Sequence, residues 1–248
     1  MPESRRHAGD YLMKYRVMIF AAGRGHRMRP LTDHTPKPLL LLAGKPIIVR
    51  QIEALARAEF CDLVINTAWL GDQLQHALGC GAKWGVSIRY SPEGDSEETA
   101  LETRGGIVNA LPMLAPDPFV TVSGDIVTDY DYTRLAAPLA AIERNEIDGH
   151  FVLADNPDFH PIGDFAIRDG FATREGTRLN YANIACWHPK LFHDLPAGEK
   201  ARLFPWADPI VAANRISAEH FVGAWENIGT PEHLAELETR LGVKMAEG

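Results

Sequence analysis

The chain is 248 residues long, enough for one large α/β domain or two small ones with an ordinary core. Its 46% hydrophobic and 23% charged residues are the proportions of a soluble globular protein. A formal net charge of -8 argues against a chain-wide nucleic-acid footprint, which would be basic, yet leaves room for a local cationic loop directed at a small anion.

Cys61, Cys80 and Cys186 are scattered and form no CxxC pair, which argues against a disulfide framework and a zinc site. The histidines show no HxxxH or HExxH spacing. No apolar run approaches the roughly 20 residues that span a bilayer. Arg5 and Arg6 are not followed by the apolar stretch of a signal peptide. The expected compartment is the cytoplasm, with neither nucleic acid nor membrane as a partner, and with the protein a monomer or homodimer.

Residues 1–13 read as a flexible N-terminal tail, and 14–248 as a single domain. Residues 15–22 are apolar and end in small side chains, which suits a buried first strand. Glycines, cations and a proline then make 23–35 a loop. Ile48, Ile52, Leu55 and Ala56 carry helical spacing over 46–58. A strand at 61–67, a helix at 70–78 stopped by Gly79 and Gly81, and a strand at 86–90 follow. Residues 94–103 are a polar, acidic loop. A helix over 106–111 is expected to end at Pro112, before a strand at 119–122 that runs into Ser123-Gly124-Asp125. Residues 135–144 read as a helix. Strands are expected at 150–154, 164–168, 183–187 and 221–224, and a helix at 234–241 closes the chain. Alternating strands and helices imply βαβ units: an α/β, three-layer αβα, Rossmann-like fold on a mixed, mostly parallel sheet.

The segment with most chemistry is AAGRGHRMRPLTDHTPKPLL, residues 21–40. A buried strand delivers a glycine-rich turn at its carboxyl end, where open α/β sheets bind ligands. Gly23 and Gly25 allow close backbone approach to phosphate, and Arg24, Arg27, Arg29 and Lys37 face only Asp33 as a counter-charge. The third glycine of a dinucleotide fingerprint and the Gly-Lys-Ser/Thr of a P-loop are both absent. By its residues alone, the loop is either a phosphate cradle or a solvated basic surface. Asp125, at the end of an apolar run, is likewise either a turn aspartate or a metal ligand.

The string AAGRGHRMRPLT followed by PKPLL resembles the signature of the sugar-phosphate nucleotidyltransferase family, over about twenty consecutive residues. That resemblance implies the nucleotide-diphospho-sugar transferase fold and an enzyme that transfers a nucleotidyl group from a nucleoside triphosphate to a sugar 1-phosphate, with release of pyrophosphate. It implies that Ala22, Gly23 and Gly25 line the nucleotide phosphates. Arg27 would bind the leaving phosphates, and Lys37 the reacting centre. Gly124-Asp125 resembles the family's Gly-Asp pair, whose Asp holds Mg2+. Trp225-Glu226-Asn227-Ile228-Gly229-Thr230 matches the frame of the second metal motif, with Asn227 in place of its Asp. An amide oxygen still ligates Mg2+ without adding charge, while Glu226 is the alternative ligand.

Further segments, among them NTAWLGDQL, SIRYSPEG and LETRGGI, are similar to the family's uridylyltransferases acting on N-acetylmuramic acid 1-phosphate, a step of peptidoglycan recycling. UTP and a sugar 1-phosphate are then the expected substrates. Glu102, Thr103, Gly105 and Gly106 are expected to shape the base and ribose pocket, and Asn156, Asp164 and Asn183 to contact the sugar. The alternatives are a hexose-1-phosphate guanylyl- or thymidylyltransferase, a phosphocholine cytidylyltransferase, and a non-catalytic sugar-nucleotide sensor.

Overall fold

The strand β1 (Arg16–Phe20) alternates its buried side chains between two faces: Val17 and Ile19 point into one apolar cluster and Met18 into another. A strand buried on both faces belongs at the centre of a covered sheet. In the computed structural model, which describes Leu12 and residues 14–246, β1 lies between the parallel strands β4 (Asp62–Thr67) and β6 (Phe119–Ser123). The remaining long strands are β5 (Ser87–Pro92), β8 (Gly149–Ala154), β11 (Asn180–Trp187) and β12 (Ile216–Phe221), with short edge strands β9 (Ala166–Arg168) and β10 (Phe171–Thr173). Their order is β5-β4-β1-β6-β11-β8-β12-β10-β9. β11 runs antiparallel to both β6 and β8, whereas β8 and β12 are parallel, so the sheet is mixed and mostly parallel as expected.

Helices α1 (Ile47–Arg57), α2 (Gly71–Leu78) and α4 (Ala136–Glu143) cover one face through Ile48, Ile52, Leu55, Leu74 and Leu139. Helices α3 (Glu102–Leu114) and α5 (Asp208–Ala212) cover the other through Ile107, Leu111, Leu114 and Val211. These are the three layers. A third cluster joins Met28 and Leu40 to Ile228 and Leu234, so the closing helix α6 (Pro231–Ala246) packs on the loop after β1.

Several expected boundaries move. α3 runs past Pro112 to Leu114, because buried Leu111 and Leu114 hold the extra turn and Ala115 N donates to Leu111 O. Of the strand expected at 221–224 only Phe221 is extended, as the last residue of β12, and 222–224 form the turn into β13 (Trp225–Asn227). The chain turns at Gly223, and Ala224 N donates to Asp129 Oδ1. β13 pairs antiparallel with β7 (Ile126–Thr128), placing Asn227 opposite Ile126. Residues 1–11 and 13 of the expected tail lie outside the described residues. Leu12 is fully buried in the main core, so the packed body includes Leu12, ahead of residue 14.

Candidate functional site

β1 ends at Phe20, and the backbone N of Ala21 donates to Asn66 Oδ1 at 2.7 Å, which fixes the start of the glycine loop against the end of β4. Gly25 adopts φ +68, and a Cβ there would lie 3.1 Å from Thr32 and 3.2 Å from Lys37, so the left-handed turn and the close packing both call for glycine. Gly23 is exposed with open space around it.

The four loop cations divide into two pairs. Arg24 stacks on the Trp69 ring at 4.1 Å, donates to Thr32 O at 2.6 Å and pairs with Asp33 at 2.7 Å. Arg29 meets the same Asp33 oxygen at 2.8 Å. Hydrogen bonding from Arg24, with Arg29 beside it, holds the Asp33 carboxyl below its usual range. Arg24 and Arg29 therefore share one carboxylate that braces the loop, with Arg24 also bordering the cavity at its end. Arg27 and Lys37 are left. Arg27 is exposed and lies against Gly229, where a Cβ would come within 3.6 Å of its guanidinium. Lys37 is buried, and its Nζ meets Asp125 Oδ2 at 2.5 Å.

Asp125 leaves β6 through Gly124, whose N donates to Phe20 O at 2.9 Å. A Cβ at Gly124 would strike that oxygen at 2.8 Å, so the Gly-Asp pair needs its glycine to bring the ends of β1 and β6 together. Ser123 Oγ donates to Asp125 Oδ1 at 2.7 Å. The β7–β13 ribbon pairs Asn227 with Ile126, the residue after Asp125, and Ile228 N reaches Asp125 O at 3.3 Å, so the two segments adjoin through their backbones. Asn227 Oδ1 is buried without a hydrogen-bond donor. A buried orphan acceptor costs free energy unless a ligand completes it, and a hard cation is such a ligand. Among the described residues no group of three or more His, Cys, Asp or Glu could hold a metal. A cation here would rely on Asp125, Asn227 and substrate oxygens, a set that suits magnesium. The alternative ligand Glu226 is committed elsewhere, to His233 at 2.9 Å and Arg240 at 2.5 Å.

Beside this centre lies a cavity of about 320 Å³ lined by Ala22, Gly23, Asn66, Glu93, Glu102 and Thr103 among others, with Asp125 also on its wall. Glu102 opens α3 at φ +62, a conformation rare for a non-glycine residue and common at binding sites. Gly105 and Gly106 stand behind the cavity wall, not on it. A Cβ at Gly105 would lie 2.3 Å from Glu199 O, and one at Gly106 2.5 Å from Glu93 Oε1, so their small size admits close neighbours. Sequence reasoning missed Asn66 and Glu93. Asn66 Nδ2 donates to Glu93 Oε1 at 2.7 Å, and Leu101 N to Oε2 at 2.8 Å, which ties the ends of β4 and β5 to the start of α3. Burial pushes the Glu93 carboxyl up, opposed by those two donors. The available signal was a polar residue at the end of each of two apolar strands. The acidic segment also enters the wall, through Glu97, which meets His26 at 2.5 Å.

A second cavity, about 440 Å³, shares Glu102 and Thr103 with the first and is lined by Asp164, Asn183, Arg202 and Phe204. Asn183 sits at φ +57 in the β11 irregularity between Tyr181 and Ala185, and makes no side-chain hydrogen bond among the described residues. Asp164 accepts from Tyr181 N at 2.8 Å and faces His160 at 3.2 Å. Asn156 is not on this cavity. It borders a wider cleft of about 990 Å³ with Arg27 and Asn227, and its amide donates to Pro161 O and Arg178 O. Asn156 thus shapes a loop, while Asn183 is free to meet a ligand.

The nucleotidyl transferase family model matches residues 16–160. The chain is 41% identical to the N-acetylmuramate alpha-1-phosphate uridylyltransferase of Neisseria meningitidis over 92% of its own length and 98% of that protein. It is 31% identical to the enzyme of the same name from Caulobacter vibrioides over 91% and 96%. A Bacillus anthracis structure assigned as a glucose-1-phosphate thymidylyltransferase superposes with a TM-score of 0.76 at 19% identity, covering 91% of this chain and 94% of that one, which is a likeness of fold. A family match over more than half the chain and relatives aligned nearly end to end agree with the arrangement of loop, carboxylate and cavities, and the chain belongs to the nucleotidyl transferase family.

Proposed function

We propose that the protein transfers a uridylyl group from UTP to N-acetylmuramic acid 1-phosphate, forming UDP-N-acetylmuramic acid and pyrophosphate, as a step in recycling cell-wall sugar. The observation that carries this reading is the 41% identity to a relative of that name across almost the whole of both chains. The geometry supports it with a loop, a carboxylate and a cavity at the carboxyl ends of β1 and β6, and with a second cavity that shares Glu102 and Thr103 with the first.

UTP would occupy the smaller cavity, with its phosphates on the backbone of Ala22 and Gly23. Asp125 and the Asn227 amide oxygen would hold Mg2+, which supplies positive charge at the reacting phosphates when bound. The acceptor phosphate is ionised near neutral pH and needs no general base. Its oxygen forms a bond to the α-phosphorus, and the bond to the β-phosphate bridging oxygen breaks. Lys37 is ionically paired with Asp125, the proposed metal ligand, so its ammonium would neutralise charge that develops on the phosphate oxygens. Arg27, exposed on the wider cleft, would take the departing pyrophosphate. A non-catalytic sensor has no need of either cation.

The test is pyrophosphate release by the purified protein with UTP, N-acetylmuramic acid 1-phosphate and magnesium. Lys37→Ala should lower turnover about 100-fold or more. Turnover near that of the wild type in a folded Lys37→Ala protein would contradict the role assigned to Lys37.

A further inference from the structure

The larger of the two joined cavities is unevenly charged. Two carboxylates stand on its wall, Glu102 and Asp164. Asp164 is occupied by Tyr181 N and His160. The arginines around it are nearly all committed. Arg174 binds Asp208 at 2.6 Å and the Asp164 carbonyl at 2.9 Å, with its guanidinium 4.0 Å over the Phe165 ring. Arg104 pairs with Asp194 at 2.6 Å and stacks on Trp206 at 4.4 Å. Arg178 donates to Arg174 O at 3.1 Å.

Arg202 is the exception. Its side chain is 79% exposed, and its nearest carboxylate, Glu102, is 3.7 Å away, beyond hydrogen-bond reach. Its backbone is nonetheless held firmly. Leu203 is buried, and the Phe204 ring packs 5.2 Å from Phe165 and 5.5 Å from Tyr181. A cation with fixed backbone and free guanidinium, standing over a cavity, is built to take an anion. Asp125 lines the smaller cavity and Arg202 the larger, so a ligand group at Arg202 is not the phosphate that reacts.

We infer that Arg202 is the specificity-determining residue that binds a second anionic group on the acceptor, the carboxylate of its lactyl ether. This rests on the acceptor proposed above, an N-acyl amino sugar 1-phosphate with a carboxylate side arm. Without Arg202, Glu102 would repel that arm. With it, the arm enters a charge-assisted, potentially bidentate contact that N-acetylglucosamine 1-phosphate, which lacks the arm, cannot make.

The experiment is steady-state kinetics at saturating UTP for wild type, Arg202→Ala and Arg202→Lys, with N-acetylmuramic acid 1-phosphate and N-acetylglucosamine 1-phosphate as acceptors. Arg202→Ala should raise KM for the carboxylate-bearing acceptor about tenfold and leave kcat nearly unchanged. It should leave both constants for the other acceptor near their wild-type values. Arg202→Lys should recover part of the loss. Because the guanidinium makes no hydrogen bond among the described residues, the melting temperature should not move. An equal loss with both acceptors, or no change with either, would overturn the assignment while leaving the enzyme's reaction intact. A wild-type protein that uses N-acetylglucosamine 1-phosphate and not the carboxylate-bearing sugar would overturn the proposed acceptor and the role of Arg202 together.

Discussion

Asn227 stands where the family's frame carries an aspartate, and its surroundings say why an amide can serve. Its Oδ1 is buried without a donor, on a strand that pairs with the residue after Asp125, whose carboxylate already receives Ser123 and Lys37. A second carboxylate here would add negative charge that a bound cation must offset, whereas an amide oxygen offers a lone pair alone. Asn227→Asp should therefore keep turnover and lower the magnesium concentration needed for half-maximal rate, while Asn227→Ala should raise that concentration about tenfold or more. A magnesium titration of pyrophosphate release separates these outcomes, and identical titration curves for all three proteins would remove Asn227 from the metal site. Residue by residue, the sequence was legible where a motif is contiguous. Lys37 and Asp125, 88 residues apart, meet in an ion pair, and Asn227 comes in on the strand that pairs with the residue after Asp125. Arg24 and Arg29 misled, because nothing in a string of cations shows that one aspartate and one indole consume two of them. Asn156 and Asp164 line cavities but also serve the fold, one donating to loop carbonyls and the other accepting from a backbone amide.

Among the elements, those in the first half were legible because β1 and β4 centre on unbroken apolar runs and α1 carries a clear helical period. In the second half the strands are short or irregular. β11 contains a bulge at Asn183, and β12 carries a charged residue, Glu219, on a face that packs against Tyr130 and Arg134. Glu219 shows how that joint is held. Burial would raise its carboxyl, but the His150 imidazole 3.6 Å away, the hydrogen bond from Tyr130 and the charge of Arg134 outweigh burial and bring it down to about 2 from an ordinary 4.5. A depressed carboxyl contributes stability that is present above its unfolded value and is lost as pH falls toward its folded one. The urea midpoint should therefore fall as pH drops from about 4.5 toward about 2. Glu219→Gln should flatten part of that dependence and cost ~1–3 kcal/mol at neutral pH. A variant with the wild-type slope would show that acid sensitivity lies elsewhere.

Across the whole molecule, the sheet brings residues that are far apart in sequence to one edge. Ala21, Asn66, Glu93 and Asp125 stand at the carboxyl ends of β1, β4, β5 and β6, and the β7–β13 ribbon adds Asn227 from near the C-terminus. Crossover connections in a parallel sheet place these ends together, which is why fold class and site location were legible jointly. The Asn66–Glu93 link was not, since a single hydrogen bond between strand ends leaves no period in the sequence. Nor does the pattern say which of the joined cavities takes which substrate. No helix among the described residues is long and apolar enough to cross a membrane.

The central claim is a pairing of nucleotide and acceptor. Its most direct test is kcat/KM for pyrophosphate release with UTP, GTP, CTP and dTTP, each against N-acetylmuramic acid, N-acetylglucosamine, glucose and mannose 1-phosphates. UTP with N-acetylmuramic acid 1-phosphate should exceed every other pair. A preference for GTP with mannose 1-phosphate, or release with no pair at all, would contradict it.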